Sequence, residues 1–110
     1  MNYTSSDVAI VTGTNVSLKC TTDSRRKIRW LYIDVRSSRN ELMTVYSGYK
    51  MNSSFVNSYS VVDEPGECTL IINSTQLHNA GRYECQETGT LSTGAVELTV
   101  VGNNFNKYIF

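Results

Sequence analysis

Leu77-His78-Asn79-Ala80-Gly81-Arg82-Tyr83-Glu84-Cys85 is the stretch on which the reading of this 110-residue chain turns. Gly81, Tyr83 and Cys85 recur at every second position, the period that puts side chains on one face of a strand. Upstream, Cys20 and the single tryptophan, Trp30, stand ten residues apart. The same alternation, bounded by Gly, Asn, Ser and Asp, recurs along the chain, and no stretch carries a convincing helical period. Strands are predicted at residues 7–11, 16–21, 27–33, 41–46, 58–62, 68–72, 82–87 and 95–101, with a short one at 49–51. Asp63-Glu64-Pro65-Gly66 reads as a turn, Pro65 presetting its own φ and Gly66 supplying left-handed freedom. The chain is therefore expected to be all-β.

The nine-residue stretch resembles the Leu-x-Asp-x-Gly-x-Tyr-x-Cys run of immunoglobulin domains, with Asn79 standing where that family has Asp. The resemblance, which covers residues 7–101, implies a two-sheet Greek-key β-sandwich with a Cys20–Cys85 disulfide between the sheets. It also implies a signature of Trp30, Leu77, Gly81 and Tyr83 around that bridge, with Trp30 packed on it. The Tyr83 hydroxyl would bond backbone in the preceding turn. Such a bridge closes a loop of about 65 residues and is worth roughly 4 kcal/mol in the chain-entropy model.

Between Trp30 and Cys85 lie 54 residues, room for two strands that a seven-strand constant-type domain lacks. The resemblance is therefore to the variable set, or V-set, with an A'GFCC'C'' sheet packed on an ABED sheet. The domain is expected over residues 1–102, with 103–110 an exit linker or tail. Two departures disfavour a rearranging antigen receptor: the loop between Cys20 and Trp30 is short, and Thr93-Gly94-Ala95-Val96 contains no Phe-Gly-x-Gly. A germline-encoded cell-surface receptor or adhesion molecule is favoured instead.

Composition agrees. One chain of this length supports a single two-layer core. Ten basic and ten acidic residues cancel, which leaves no electrostatic case for nucleic acid or an anionic membrane surface and points to a protein or glycan partner. Cysteine usage implies an oxidising compartment. Four N-glycosylation sequons, at Asn2, Asn15, Asn52 and Asn73, point the same way. No apolar run approaches the roughly 20 residues needed to span a bilayer, and no signal peptide precedes the fold. The chain is therefore expected to be an excised ectodomain, with a start Met added for expression. Its parent would be a type I cell-surface membrane protein with a signal sequence before this segment and an anchor or further domains after it.

Function in a sandwich belongs to outward residues of one sheet or to the end loops. With Trp30 inward, parity turns Arg29, Leu31 and Ile33 outward. Cys85 inward turns Glu84 and Gln86 outward, and Glu97 joins them from the last strand. The strand at 41–46 adds either Met43 and Val45 or Leu42, Thr44 and Tyr46. The predicted partner-binding face is thus Arg29, Leu31, Ile33, Met43, Val45, Tyr46, Glu84, Gln86 and Glu97. An apolar centre with a polar rim reads as an interface. Long neighbouring side chains could equally cover two outward apolar residues.

No sequon falls within 27–46 or 82–101, so sugars would leave this face bare. Basic Arg25, Arg26, Lys27 and Arg29 against acidic Glu84, Glu87 and Glu97 would suit a two-fold homodimer, slightly favouring homophilic over heterophilic pairing. The expected role is recognition between proteins at the cell surface, in adhesion, allorecognition or immune recognition. Two alternatives remain: an acidic glycan or protein bound by Arg29 and the basic loop before it, and a structural spacer.

Cys68 is left over once Cys20 and Cys85 pair. It shares a face with Leu70 and Ile72, so it fills core space, bridges to another chain, or pairs with a cysteine outside this segment. No enzymatic chemistry is legible. The lone His78 has no partner at metal-ligand spacing, no nucleophile elbow is present, and Asp63, Glu64 and Glu67 lack a calcium-ligand ladder. No cofactor or metal is expected.

Overall fold

In a computed structural model, which describes residues 2–3, 7–22, 27–34, 41–89 and 93–102, the alternation resolves into ten strands. They are β1 (Asn2–Tyr3), β2 (Val8–Val11), β3 (Val16–Thr21), β4 (Ile28–Ile33), β5 (Leu42–Ser47), β6 (Lys50–Met51), β7 (Tyr59–Glu64), β8 (Glu67–Ile72), β9 (Gly81–Glu87) and β10 (Thr93–Val101). A four-stranded sheet, ordered β1-β3-β8-β7, packs on a six-stranded sheet ordered β2-β10-β9-β4-β5-β6. These are the two sheets expected from the sequence. All pairings are antiparallel except that of β2 with β10. The tail at 103–110 lies outside the described residues.

The inward sets are those the period dictates: Val16, Leu18 and Cys20 from β3, Leu70 and Ile72 from β8, Tyr83 and Cys85 from β9, Val96, Leu98 and Val100 from β10. The Cys20–Cys85 bridge ties β3 to β9 and so joins the two sheets. Trp30 is fully buried. Tyr83 donates its hydroxyl proton to the Asn79 carbonyl at 2.6 Å, the turn-anchoring bond expected of it.

Three local readings need correction. The predicted four-residue turn at 63–66 is shorter, because Asp63 and Glu64 stay paired with Cys68 and Glu67. Only Pro65 and Gly66 turn the chain, Gly66 at φ +82°. Leu77, assigned to the core, is 54% exposed. It opens a single 3-10 turn (Leu77–Asn79) whose rotation carries Asn79 inward instead.

The third correction comes from a β-bulge between β4 and β5. Trp30 faces Tyr46, yet Leu31 faces Thr44, so Val45 is an extra residue on β5. Parity slips there, and both Val45 and Tyr46 turn into the core. Met43, opposite inward Tyr32, packs partly buried against that core. These three residues therefore do not belong to the outward face. Tyr46 instead ties the sheets together, its hydroxyl donating to Asp63 on β7 at 2.7 Å. Burial first, then that carboxylate, raises the phenol pKa well above its ordinary value.

Candidate recognition face

With the bulge accounted for, the outward face of the six-stranded sheet is built row by row from the pairing register. One row runs Arg29 to Gln86. The next runs Thr44, Leu31, Glu84 and Ala95, and the third Leu42, Ile33, Arg82 and Glu97. Leu42 and Thr44 are thus the outward pair of β5, with Leu42 56% exposed. The sequence offered them together with Tyr46 as one of two alternating sets, and the bulge splits that set, leaving Leu42 and Thr44 outward and Tyr46 inward.

Leu31 is outward but just 6% exposed, and it stands apart from the central core cluster. Its neighbours on the sheet cover it, so it cannot serve as an exposed anchor in the isolated domain. Ile33 is half-buried. The accessible apolar centre is therefore Leu42 with Ile33, over a floor formed by Leu31.

The rim is already paired within the domain. Arg82 Nε reaches Glu84 at 2.9 Å and Arg82 Nη1 reaches Glu97 at 3.1 Å. Hydrogen bonding to Glu84 first, then Glu97, raises the Arg82 pKa and holds it charged. Arg29 Nε donates to Gln86 Oε1 at 2.6 Å. Exposed pairs of this kind are worth about 0–1 kcal/mol each. Their consequence lies elsewhere: Glu84 and Glu97 have their counter-charge on the same face, so the charge pattern gives no preference for a second copy of the chain. Glu87, on the inward parity of β9, is buried and takes no part in this face. Arg25 and Arg26 lie outside the described residues. Arg82 was absent from the predicted set, although the outward parity of Glu84 placed it on the same side.

Carbohydrate would leave most of this face open. Asn15 and Asn73 stand exposed together at one end, where Ser74 N–H donates to Asn15 Oδ1 at 2.7 Å. Asn2 is on β1 of the other sheet. Asn52 lies nearer: it follows edge strand β6, and its Nδ2 donates to the Thr44 carbonyl at 2.7 Å. A sugar there would border the β5 side of the face.

Cys68 pairs across the ladder with Cys20 and is fully buried. Burial, reinforced by the charge of Asp63, pushes its thiol up to about 12. The Trp30 indole opposes this slightly, although its N–H makes no hydrogen bond of ordinary geometry among the described residues. A thiolate is therefore scarce near neutral pH, and a bridge from the folded domain to another chain would require β8 to open. Native protein at pH 8 is expected to resist iodoacetamide and to gain one adduct per chain once denatured. Rapid native alkylation, read by intact mass, would contradict the buried position.

His78 is exposed, and no group of three or more His, Cys, Asp or Glu residues suited to a metal occurs among the described residues. No helix there is long and apolar enough to cross a membrane. The family model of the immunoglobulin V-set domain matches residues 3–101. Comparison with curated proteins returns no match.

Proposed function

Since the chain belongs to the immunoglobulin V-set family, whose members are commonly extracellular, non-enzymatic protein-recognition modules, we propose that it is the recognition domain of a cell-surface receptor. In this reading it meets a partner protein through the outward face of β10, β9, β4 and β5, in adhesion or immune recognition, and a membrane anchor lies outside this segment. The observation that carries the reading is Leu42, 56% exposed beside Ile33 on a sheet face where Arg82 is paired with both Glu84 and Glu97. Apolar area that can be covered without stranding a charge is what an interface core needs. The sequon positions support the same face.

The first partner to test is a second copy. The variant is Leu42→Arg rather than a change at Leu31, whose burial would turn an interface test into a folding test. Solution mass across a concentration series should show a dimer that Leu42→Arg weakens by about tenfold or more and that mild reductant leaves intact. A monomer at every concentration rejects self-pairing. Binding of fluorescent wild-type and Leu42→Arg tetramers to cells then tests a different partner. Equal staining by the two would reject the face.

A further inference from the structure

Gly48 and Tyr49 turn the hairpin between β5 and β6, at φ +60° and +64°, with Ser47 and Lys50 paired across them. Two consecutive positive φ values make the tight turn whose twist matches a hairpin. Glycine fills the first position without steric cost. The second, where glycine is again preferred, holds a tyrosine, whose Cβ makes this conformation costly. Ser74 is the only other non-glycine residue with positive φ among those described.

Packing does not account for the choice. Tyr49 is 66% exposed, the most exposed large apolar side chain among the described residues. What the position does provide is display. Lys27 Nζ lies 4.7 Å from the ring centroid, a cation over one aromatic face, and exposed Lys50 follows in sequence. A turn tip is convex, so this aromatic is presented to something else, with the Lys27 ammonium beside it.

We propose that Tyr49, with the Lys27 ammonium over its ring and exposed Lys50 next in sequence, is an anchor for an acidic segment of a partner protein, held at the end of the sandwich. The inference rests on the domain being a protein-recognition module, but not on the outward sheet face. An aromatic fixed by backbone and cation packs on such a segment with little side-chain freedom left to lose. The lysines match carboxylates along that segment and set register. A small ligand is disfavoured because such sites are concave.

Tyr49→Gly separates this role from a structural one, because it relieves the strained φ while removing the anchor. Thermal unfolding of the variant should give a Tm equal to or a few degrees above that of the wild type. A deca-glutamate peptide titrated into labelled wild-type domain should shift the amides of Lys27, Tyr49 and Lys50. Tyr49→Gly and Lys27→Glu should each weaken that binding by about tenfold, whereas Val62→Ser, exposed on β7 of the other sheet, should leave it unchanged. A clear fall in Tm for Tyr49→Gly, or unchanged peptide affinity, would show that Tyr49 only packs the turn and would overturn the proposal. Binding of a heparin oligosaccharide at these amides without the peptide would also overturn it, in favour of a glycan. Failure of Leu42→Arg to affect self-association or cell staining would remove the sheet face and leave this anchor standing.

Discussion

Gly81→Ala is expected to destabilise the domain by about 3 kcal/mol or more, lowering Tm by roughly 15 °C on the usual scaling for a domain of this size. Two effects act together. Gly81 opens β9 at φ +149°, a conformation that L side chains rarely adopt. An added Cβ would also lie 2.7 Å from Tyr32 Cε1 and 2.8 Å from the Ile33 carbonyl oxygen. Neither neighbour is free to withdraw. Ile33 is held in the β4–β9 ladder opposite Arg82, and the Tyr32 ring is fixed by its hydroxyl, which donates to the Ala80 carbonyl at 2.7 Å. The methyl can be admitted only by parting β4 from β9, the strands that carry Trp30 and Cys85. Gly13→Ala is the control, with φ +89° but nothing within 4 Å of the new Cβ, so only backbone strain remains. Urea unfolding should give Gly81→Ala a loss at least twice that of Gly13→Ala. Equal losses would mean that the close approach of Tyr32 is not a constraint.

Much of this architecture was legible in the sequence because it follows from a period of two and a few fixed anchors. β3 appears at its predicted bounds, since Val16, Leu18 and Cys20 alternate cleanly with polar residues. The order of both sheets is the one that the resemblance to the variable set implied. What failed was parity carried through an irregularity. No local signal marks Val45 as the extra residue of a bulge, yet that slip leaves both Val45 and Tyr46 in the core and puts Leu42 outside. Leu77 misled because the motif gives spacing but not the 3-10 rotation that exposes it. Pairings made through the fold were illegible for a different reason. Arg82 meets Glu97 only because β9 and β10 align them, and Tyr46 meets Asp63 only across the two sheets. The outward positions of β4 and β9 were thus legible from parity, and those of β5 were not.

Asn79→Asp restores the residue that the immunoglobulin pattern leads one to expect at this position, and it should nevertheless destabilise the domain by about 3 kcal/mol at neutral pH. The reason is proton accounting. Asn79 is 1% exposed, and its Oδ1 accepts the Gln76 N–H at 2.7 Å. Tyr83 spends its one hydroxyl proton on the Asn79 carbonyl, so across the 2.8 Å contact between Tyr59 and Tyr83 the donor must be Tyr59. The Tyr59 oxygen is then an acceptor, and Asn79 Nδ2 donates to it at 2.9 Å. The bonds close a ring in which position 79 must supply a proton. An ionised carboxylate has none. It would draw the Tyr59 proton away from Tyr83 or face its lone pairs. A protonated carboxyl, by contrast, can donate to Tyr59 and still accept from Gln76. Burial therefore raises the pKa of the introduced carboxyl above its unfolded value of about 3.9. For an acid whose folded pKa is raised, stability is fully present below the unfolded pKa and is lost as pH rises through the folded one. The difference in unfolding free energy between wild type and variant should be small near pH 3, open as pH rises above about 4, and level off beyond the folded pKa. A difference independent of pH would mean that the carboxylate finds a partner or water on burial, and that the direction of the ring does not matter.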